Sequence, residues 1–279
     1  MAEPDGKRQH VVEVLNTVDM GTSVLVAAQV RADFTAQTTL EGIADLLRTH
    51  GRPQQLTLDR DPRFVSSPQG SDFPSALLRF CHCLGVAVRL CDPHHPEQNG
   101  FVERYHRSYQ AECLAVQRPR TLEQVRAVTE QFEQHYNYER PHQRLSCGNR
   151  PPRTAFPTLP ELPPVPDLVN PDRWLQESSG LSVLRTVSRQ GTVSIDLKTY
   201  YVGQAFAGQR VALHLSAKEQ AWIVIRGTER LKSLPLKGLY GAALPFEACV
   251  QLMMQQAQAE QRLCTAQERR ARHASFSSP

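Results

Sequence analysis

Between Pro151 and Pro171, eight of twenty-one residues are proline. Each proline removes a backbone donor and clashes with a preceding helical turn, so neither a helix nor a central strand can run through such a stretch. The composition favours an extended, semi-rigid, polyproline-like spacer. The chain is therefore expected to fold as two parts, and 279 residues leave room for one domain of ordinary size and a smaller one. We place a first domain at 1–146, a linker at 147–171, a small β-region at 172–240 and a helical tail at 241–279.

The first part opens with two β-rich runs, VVEVLNTV at 11–18 and SVLVAAQV at 23–30, joined by a four-residue turn. Leu40, Ile43, Leu46 and Leu47 then recur at helical spacing between Thr35 and Thr49, and Gly51 and Pro53 stop that helix. A short strand at Gln55–Leu58 ends at Asp59. A helix is expected from Ser75 to Leu84, a strand over Val86–Leu90 and a loop over Asp92–Gly100. Two further helices, about Gln98–Val116 and Thr121–Tyr138, complete the part, the second with Thr121 as N-cap and Gln124 in the capping-box position. Strands alternating with helices describe an α/β sheet with helices on its faces.

Beyond the prolines, β-prone segments recur at 181–188, 191–196, 200–202, 210–215, 221–226 and 231–236, separated by Gly and polar turns. That is the pattern of a small all-β barrel, and 245–273 reads as one helix with an Arg-rich end. Residues 1–146 hold 16 Lys and Arg against 18 Asp and Glu, whereas 172–240 hold 10 against 5. The smaller part thus carries the field that attracts a polyanion. Charged residues make up 22% and hydrophobic ones 40%, which excludes a disordered chain. No apolar run approaches the roughly 18 residues of a membrane span, and residues 1–20 show no signal-peptide pattern. Seven cysteines at irregular spacings argue against a secreted disulfide framework and for a reducing cytoplasm. Cys81 and Cys83 lack the C-x2-C spacing of a zinc knuckle and read as buried small hydrophobes.

Two acids stand out. Asp59 closes a strand and Glu103 opens a helix, 44 positions later. Phosphodiester chemistry with hard divalent cations needs carboxylates gathered from distant parts of a chain. Taken singly, Glu103 is an ordinary acid at the positive end of a helix dipole and Asp59 an ordinary turn residue.

The words around them add a resemblance. NGFVERYHRSYQ followed by HYNYERPHQRL resembles the closing half of the integrase core of bacterial insertion-sequence transposases and retroviral integrases. TLDRDPRF resembles that family's strand-end aspartate segment, with Phe64 five positions after Asp59. The resemblance covers about residues 5–150, and TAFPTLPELPPVPDLV with the β-region after it resembles the tail of one insertion-sequence group. It implies a ribonuclease-H-like core, with a mixed sheet and helices on its faces, followed by a small SH3-like barrel and a C-terminal helix. It also implies an Asp, Asp, Glu triad holding two Mg²⁺ or Mn²⁺ ions, in which Asp59 is the second acid and Glu103 the third.

Two departures follow. The Asp59–Glu103 interval is longer than the family's usual one, with the surplus expected in a surface loop at Val65–Phe73. Only MAEPDGKRQH precedes Val11, so the first strand and first catalytic Asp are expected to be missing; Asp5 reads as a turn residue and Asp19 as a hairpin acid. Whether the chain is an enzyme is left open on this ground.

Arg107 and Gln110 share Glu103's face and are candidate contacts for DNA phosphates, against the plainer reading of a Glu103–Arg107 ion pair. His94 and His95 lie in the loop leading to Glu103 and are candidates for positioning DNA, against that of plain loop histidines. In the barrel Arg185, Arg189, Arg210 and Lys232 supply phosphate-binding capacity, as do Lys198, Arg226, Arg230 and Lys237. Tyr200 and Tyr201 are adjacent, so one faces the core and the other faces out.

The expected activity is DNA transposition or integration by metal-dependent hydrolysis and strand transfer. Its partners would be double-stranded DNA at transposon ends and target, bound by a homo-oligomer at the nucleoid of a bacterial cytoplasm, with no membrane and no small-molecule substrate. The alternative is a truncated, inactive remnant that only binds DNA or full-length transposase; a third is a nuclease without transposition.

Overall fold

The computed structural model describes residues 12–65, 72–93, 95–196 and 198–276. Asp5 and six of the nine residues of the Val65–Phe73 loop lie outside them. Strands β1 (Glu13–Val18) and β2 (Leu25–Arg31) pair antiparallel, with Glu13 opposite Arg31 and Val18 opposite Leu25. Asp19 closes their turn, its Oδ1 accepting from the Thr22 N–H at 2.7 Å and from the Thr22 hydroxyl at 2.6 Å. Helix α1 (Ala36–His50) starts at a capping box made by Thr35 and Thr38 and ends at Gly51, whose φ of 86° suits glycine.

Strands β3 (Gln55–Leu58) and β4 (Ala87–Leu90) form a two-stranded sheet. The Ala87 N–H donates to the Gln54 carbonyl at 3.0 Å and the Cys91 N–H to that of Leu58 at 2.9 Å. Both strands advance together between those bonds, as parallel strands do, and helix α2 (Ala76–Cys83) supplies the crossover they require. Burial pushes the α2 thiols up, Cys81 to about 12 and Cys83 to about 11.

Contacts divide the chain into two units, and the division is not a single cut. The first unit holds the residues up to Pro53, Thr57–Arg60 and Arg89–Pro164; the second holds Gln54–Leu56, Asp61–Val88 and Val165 onward.

In the first unit, helix α3 (Gly100–Ser108) runs through a π-helical segment at Tyr109–Leu114 into the short α4 (Ala115–Gln117). Gly100, expected at the end of the Asp92–Gly100 loop, is the first α-helical residue. Helix α5 (Leu122–Gln134) is capped by the Thr121 hydroxyl, while Gln124 Oε1 reaches back to the Arg120 N–H at 2.7 Å. It too ends in a π segment, His135–Glu139. These rods pack through aromatic rings: Tyr105 stacks on Tyr109 at 5.7 Å and meets Tyr136 edge-on at 5.1 Å, with Phe132, Val18 and Leu25 in the same cluster. Asn137 locks the hairpin to them. Its Nδ2 donates to the Leu25 carbonyl at 2.9 Å, and its Oδ1 accepts from the Leu25 N–H at 3.0 Å.

Helix α6 (Pro152–Ala155) opens the proline-rich stretch, which is otherwise extended. Its later part is held within the first unit, since Arg52 donates from its backbone to the Pro163 carbonyl and from Nε to that of Pro164.

The second unit begins its β-structure with β5 (Leu168–Val169), followed by α7 (Trp174–Glu177). Strands β6 (Ser182–Thr186), β7 (Thr192–Ile195), β8 (Lys198–Tyr201), β9 (Arg210–Ser216), β10 (Ala221–Arg226) and β11 (Glu229–Pro235) follow. All six expected strands are present. Their hydrogen bonds make an antiparallel sheet in the order β11-β10-β9-β6 and a separate β7-β8 hairpin; among the described residues no ladder closes the two into a barrel. A short strand β12 (Leu244–Pro245) pairs with β5 and leads into helix α8 (Phe246–Phe276).

The core of this unit is centred on Trp222, which is fully buried and stacks on Phe73 at 5.5 Å. Phe73 also meets Trp174 edge-on at 4.9 Å. The expectation of a surface loop at Val65–Phe73 therefore fails at its end, where Phe73 is a core ring and the Asp72 carboxylate pairs with Arg185 and accepts the Asp196 N–H at 3.0 Å. A ring of that size between two tryptophans buries too much apolar area to stay at the surface.

Helix α8 lays Cys249, Val250, Met253 and Ala257 into the unit, so its first half is an integral element rather than a frayed tail. Its Glu260 accepts the Ala76 N–H at the start of α2 and pairs with Arg79. Burial pushes the Glu260 carboxyl up, and the Arg79 charge works against that. Among the described residues no helix is long and apolar enough to cross a membrane.

Candidate active site

Asp59 is the first residue past β3 and is exposed. The strand ends around it are pinned, because the Cys91 N–H donates to the Leu58 carbonyl and Arg60 Nε donates to the Cys91 carbonyl at 2.9 Å. Cys91 is buried beside it; burial raises its thiol pKa and the Asp59 charge raises it further. The neighbouring acid is committed elsewhere. Asp61 accepts from the Arg63 backbone and guanidinium at 2.6 to 2.8 Å, which holds its carboxyl below the usual range.

The loop before Glu103 is shaped by a reciprocal clasp. The Asp92 N–H donates to Gln98 Oε1, and Gln98 Nε2 donates to Asp92 Oδ2, both at 2.9 Å. A 3-10 turn at Pro96–Asn99 then feeds α3, whose first turn carries Glu103 on an exposed face. The buried face of the same helix carries Tyr105, so the aromatic cluster fixes the rotation of α3 and hence the direction of Glu103.

Sequence reasoning passed over one residue of this region. His106 is half-buried one turn after Glu103, and the charges of both Glu103 and Asp59 act on it. Burial is the larger influence and depresses its pKa, so the imidazole is held neutral against two carboxylates that favour its charged form. Its position three residues after Glu103 was the available signal.

The other candidates are scattered. Arg107 and Gln110 are exposed, and no ion pair joins Glu103 to Arg107 among the described residues. Gln110 falls in the π segment, where the 3.6-residue repeat that aligned it with Glu103 no longer applies. His94 lies outside the described residues. In the second unit Arg185 is tied down, donating to the carbonyls of Ser194 and Leu184 besides its pairing with Asp72. Lys232 donates to the Tyr201 carbonyl at 3.1 Å and sits over that ring. Arg189 and Arg210 are exposed, with no hydrogen bond or ion pair among the described residues. Tyr200 is buried and Tyr201 is 55% exposed, the alternation expected of adjacent strand residues.

Among the described residues no three His, Cys, Asp or Glu side chains gather closely enough to hold a metal ion. Two carboxylates alone fall short of the donor set that two hard divalent cations require, so the described residues do not by themselves make that centre.

An integrase core domain model matches residues 84–152, which include Glu103 and the whole aromatic cluster drawn from α3 and α5. An insertion element IS407 protein of 31.7 kDa from Burkholderia multivorans is 28% identical over 135 residues, covering 48% of this chain and 46% of that protein. An insertion element IS476 protein of 39.2 kDa from Xanthomonas euvesicatoria is 35% identical over 92 residues, covering 33% and 26%. The chain thus spans less than half the length of these relatives. The catalytic core domain of BIV integrase superposes with a TM-score of 0.37 at 22% identity, over 53% of this chain and 93% of that one. The motif words, the matched segment and the insertion-element relatives agree: residues 84–152 are similar to the integrase core domain, and parts of the chain are similar to insertion-element proteins.

Proposed function

We propose that this protein serves DNA transposition, with a ribonuclease-H-like core in its first part and Asp59 and Glu103 as two acids of the phosphodiester-handling site. The observation that supports the reading is that the strand-end Asp59 and the helix-start Glu103 lie in one unit, Glu103 inside the segment similar to the integrase core. Mg²⁺ or Mn²⁺ would supply charge neutralisation at the phosphate, but the described donors are too few for a catalytic step to be drawn through an ion. What the chain's own residues do is hold the two carboxylates on rigid elements, Asp59 through the pinned strand ends and Glu103 through the aromatic cluster. Double-stranded DNA is the proposed partner, met in part by the basic second unit, and a homo-oligomer is the proposed working form.

The test is strand joining by the full chain on labelled duplexes carrying the terminal sequences of its element, with Mg²⁺ or Mn²⁺ supplied. Asp59→Ala and Glu103→Ala should each lower joining at least about a hundredfold, since a lost ligand costs more than a lost supporting contact. Joining that survives both substitutions would sink the assignment. The shortfall of donors favours a second reading, a protein that binds DNA or full-length transposase without acting on it. Wild-type chain that binds the same duplexes yet neither cleaves nor joins them would establish that reading.

A further inference from the structure

A cavity of about 120 Å³ lies inside the second unit, between α2, α7, the β7–β8 hairpin, the loop after β11 and α8. That is room for several water molecules, and so for one phosphoryl group. Three cations border it: Arg79, Lys198 and Lys237. Two carboxylates, Asp172 and Asp196, border it as well.

The hydrogen-bond accounting decides its character. Arg79 pairs with Glu260 through Nη2 and lies over the Trp174 ring, but its Nε is buried with no partner. A buried guanidinium N–H left unmade is costly, and such an orphan beside a cavity asks for an acceptor inside it. The Lys198 ammonium donates to the Lys237 carbonyl, and that of Lys237 donates to the Thr199 carbonyl at 2.7 Å, which leaves each with donors to give. One of the two carboxylates is occupied: Asp172 takes the Tyr240 N–H and the Gly241 N–H at 2.8 to 3.1 Å. Gly238 makes room for the cation, since a Cβ there would overlap Lys198 Nζ.

From the unused donors of Arg79, Lys198 and Lys237 around this space, we propose that the second unit holds a binding site for a phosphate monoester or inorganic phosphate. The site is separate from Asp59 and Glu103 and does not depend on the transposition reading. Charge-assisted bonds from an ammonium and a guanidinium are the strong kind for such an anion.

The test uses the full chain and inorganic phosphate, followed by calorimetry and by melting temperature. Wild type should bind saturably below about 10 mM and melt higher as phosphate rises, because a ligand of the folded state stabilises it by mass action. Lys198→Met and Lys237→Met should each weaken binding about tenfold, and Lys218→Met, at an exposed cation outside the cavity lining, should leave it unchanged. Gly238→Ala, which displaces the Lys198 ammonium without removing charge, should weaken it too. Displacement of phosphate by a 5′-phosphorylated oligonucleotide but not its 5′-hydroxyl counterpart would identify a DNA end as the source; displacement by neither would identify a free anion. Absence of saturable binding to wild type, or unchanged affinity in a Lys198→Met/Lys237→Met chain that melts like wild type, would overturn the proposal.

Discussion

The two units use their polar residues in opposite ways. In the first, the residues that make the sequence recognisable are mostly interior: Tyr105, Tyr136, Asn137 and His142 are all buried, and the acids they support stand exposed at element ends. In the second, the charges that give the region its positive field are partly turned inward. Arg185 pairs with Asp72, Arg230 with Glu219, and Lys232 bonds a strand carbonyl. A motif can therefore mark the scaffold of a site more than its chemistry, and a charge count overstates the cations free to meet a polyanion.

The sharpest test of that contrast is Asn137→Ala. It strands the Leu25 N–H and carbonyl in the core, and the expected loss is about 2–4 kcal/mol, read by urea denaturation. Little change would mean that the motif asparagine is not a structural lock. Next is Glu260→Ala in the second unit, which leaves the Arg79 charge and the Ala76 N–H without their acceptor, for an expected loss of about 1–3 kcal/mol. The double change Arg79→Met/Glu260→Met should recover much of it, as replacing both partners removes the unpaired charge.

The smallest effects separate structural from available cations. Arg210→Ala should leave the melting temperature unchanged and reduce the salt dependence of DNA binding by about one phosphate contact. Arg185→Ala should lower stability by about 1 kcal/mol with no change in that slope. If the two variants exchange these behaviours, the division between pinned and free cations fails.

Much of the secondary structure was legible because it rests on local chemistry. Thr35, Ser75 and Thr121 cap helices where their hydroxyls can reach a backbone N–H two or three residues on, and Asp19 closes a turn by the same short-range logic. The π segments were not legible: both are fixed by packing of Tyr109, Cys113 and Tyr136 against other elements, which helical spacing does not encode. Of the candidate site, Asp59 and Glu103 could be named from their words. That burial depresses the pKa of His106 could not, because burial is a property of the packed chain.

The sequence by itself determined the element order, the extended proline-rich stretch, the resemblance and the two candidate acids, since each is written in residue types over a few positions. Only the tertiary structure decided that Asp61–Val88 belongs with the C-terminal half, that Phe73 and Glu260 are core anchors, and that Arg79, Lys198 and Lys237 surround one cavity. Those pairings join residues more than a hundred positions apart. They form because burial of rings and satisfaction of buried charges are properties of the packed chain, and no local pattern carries them.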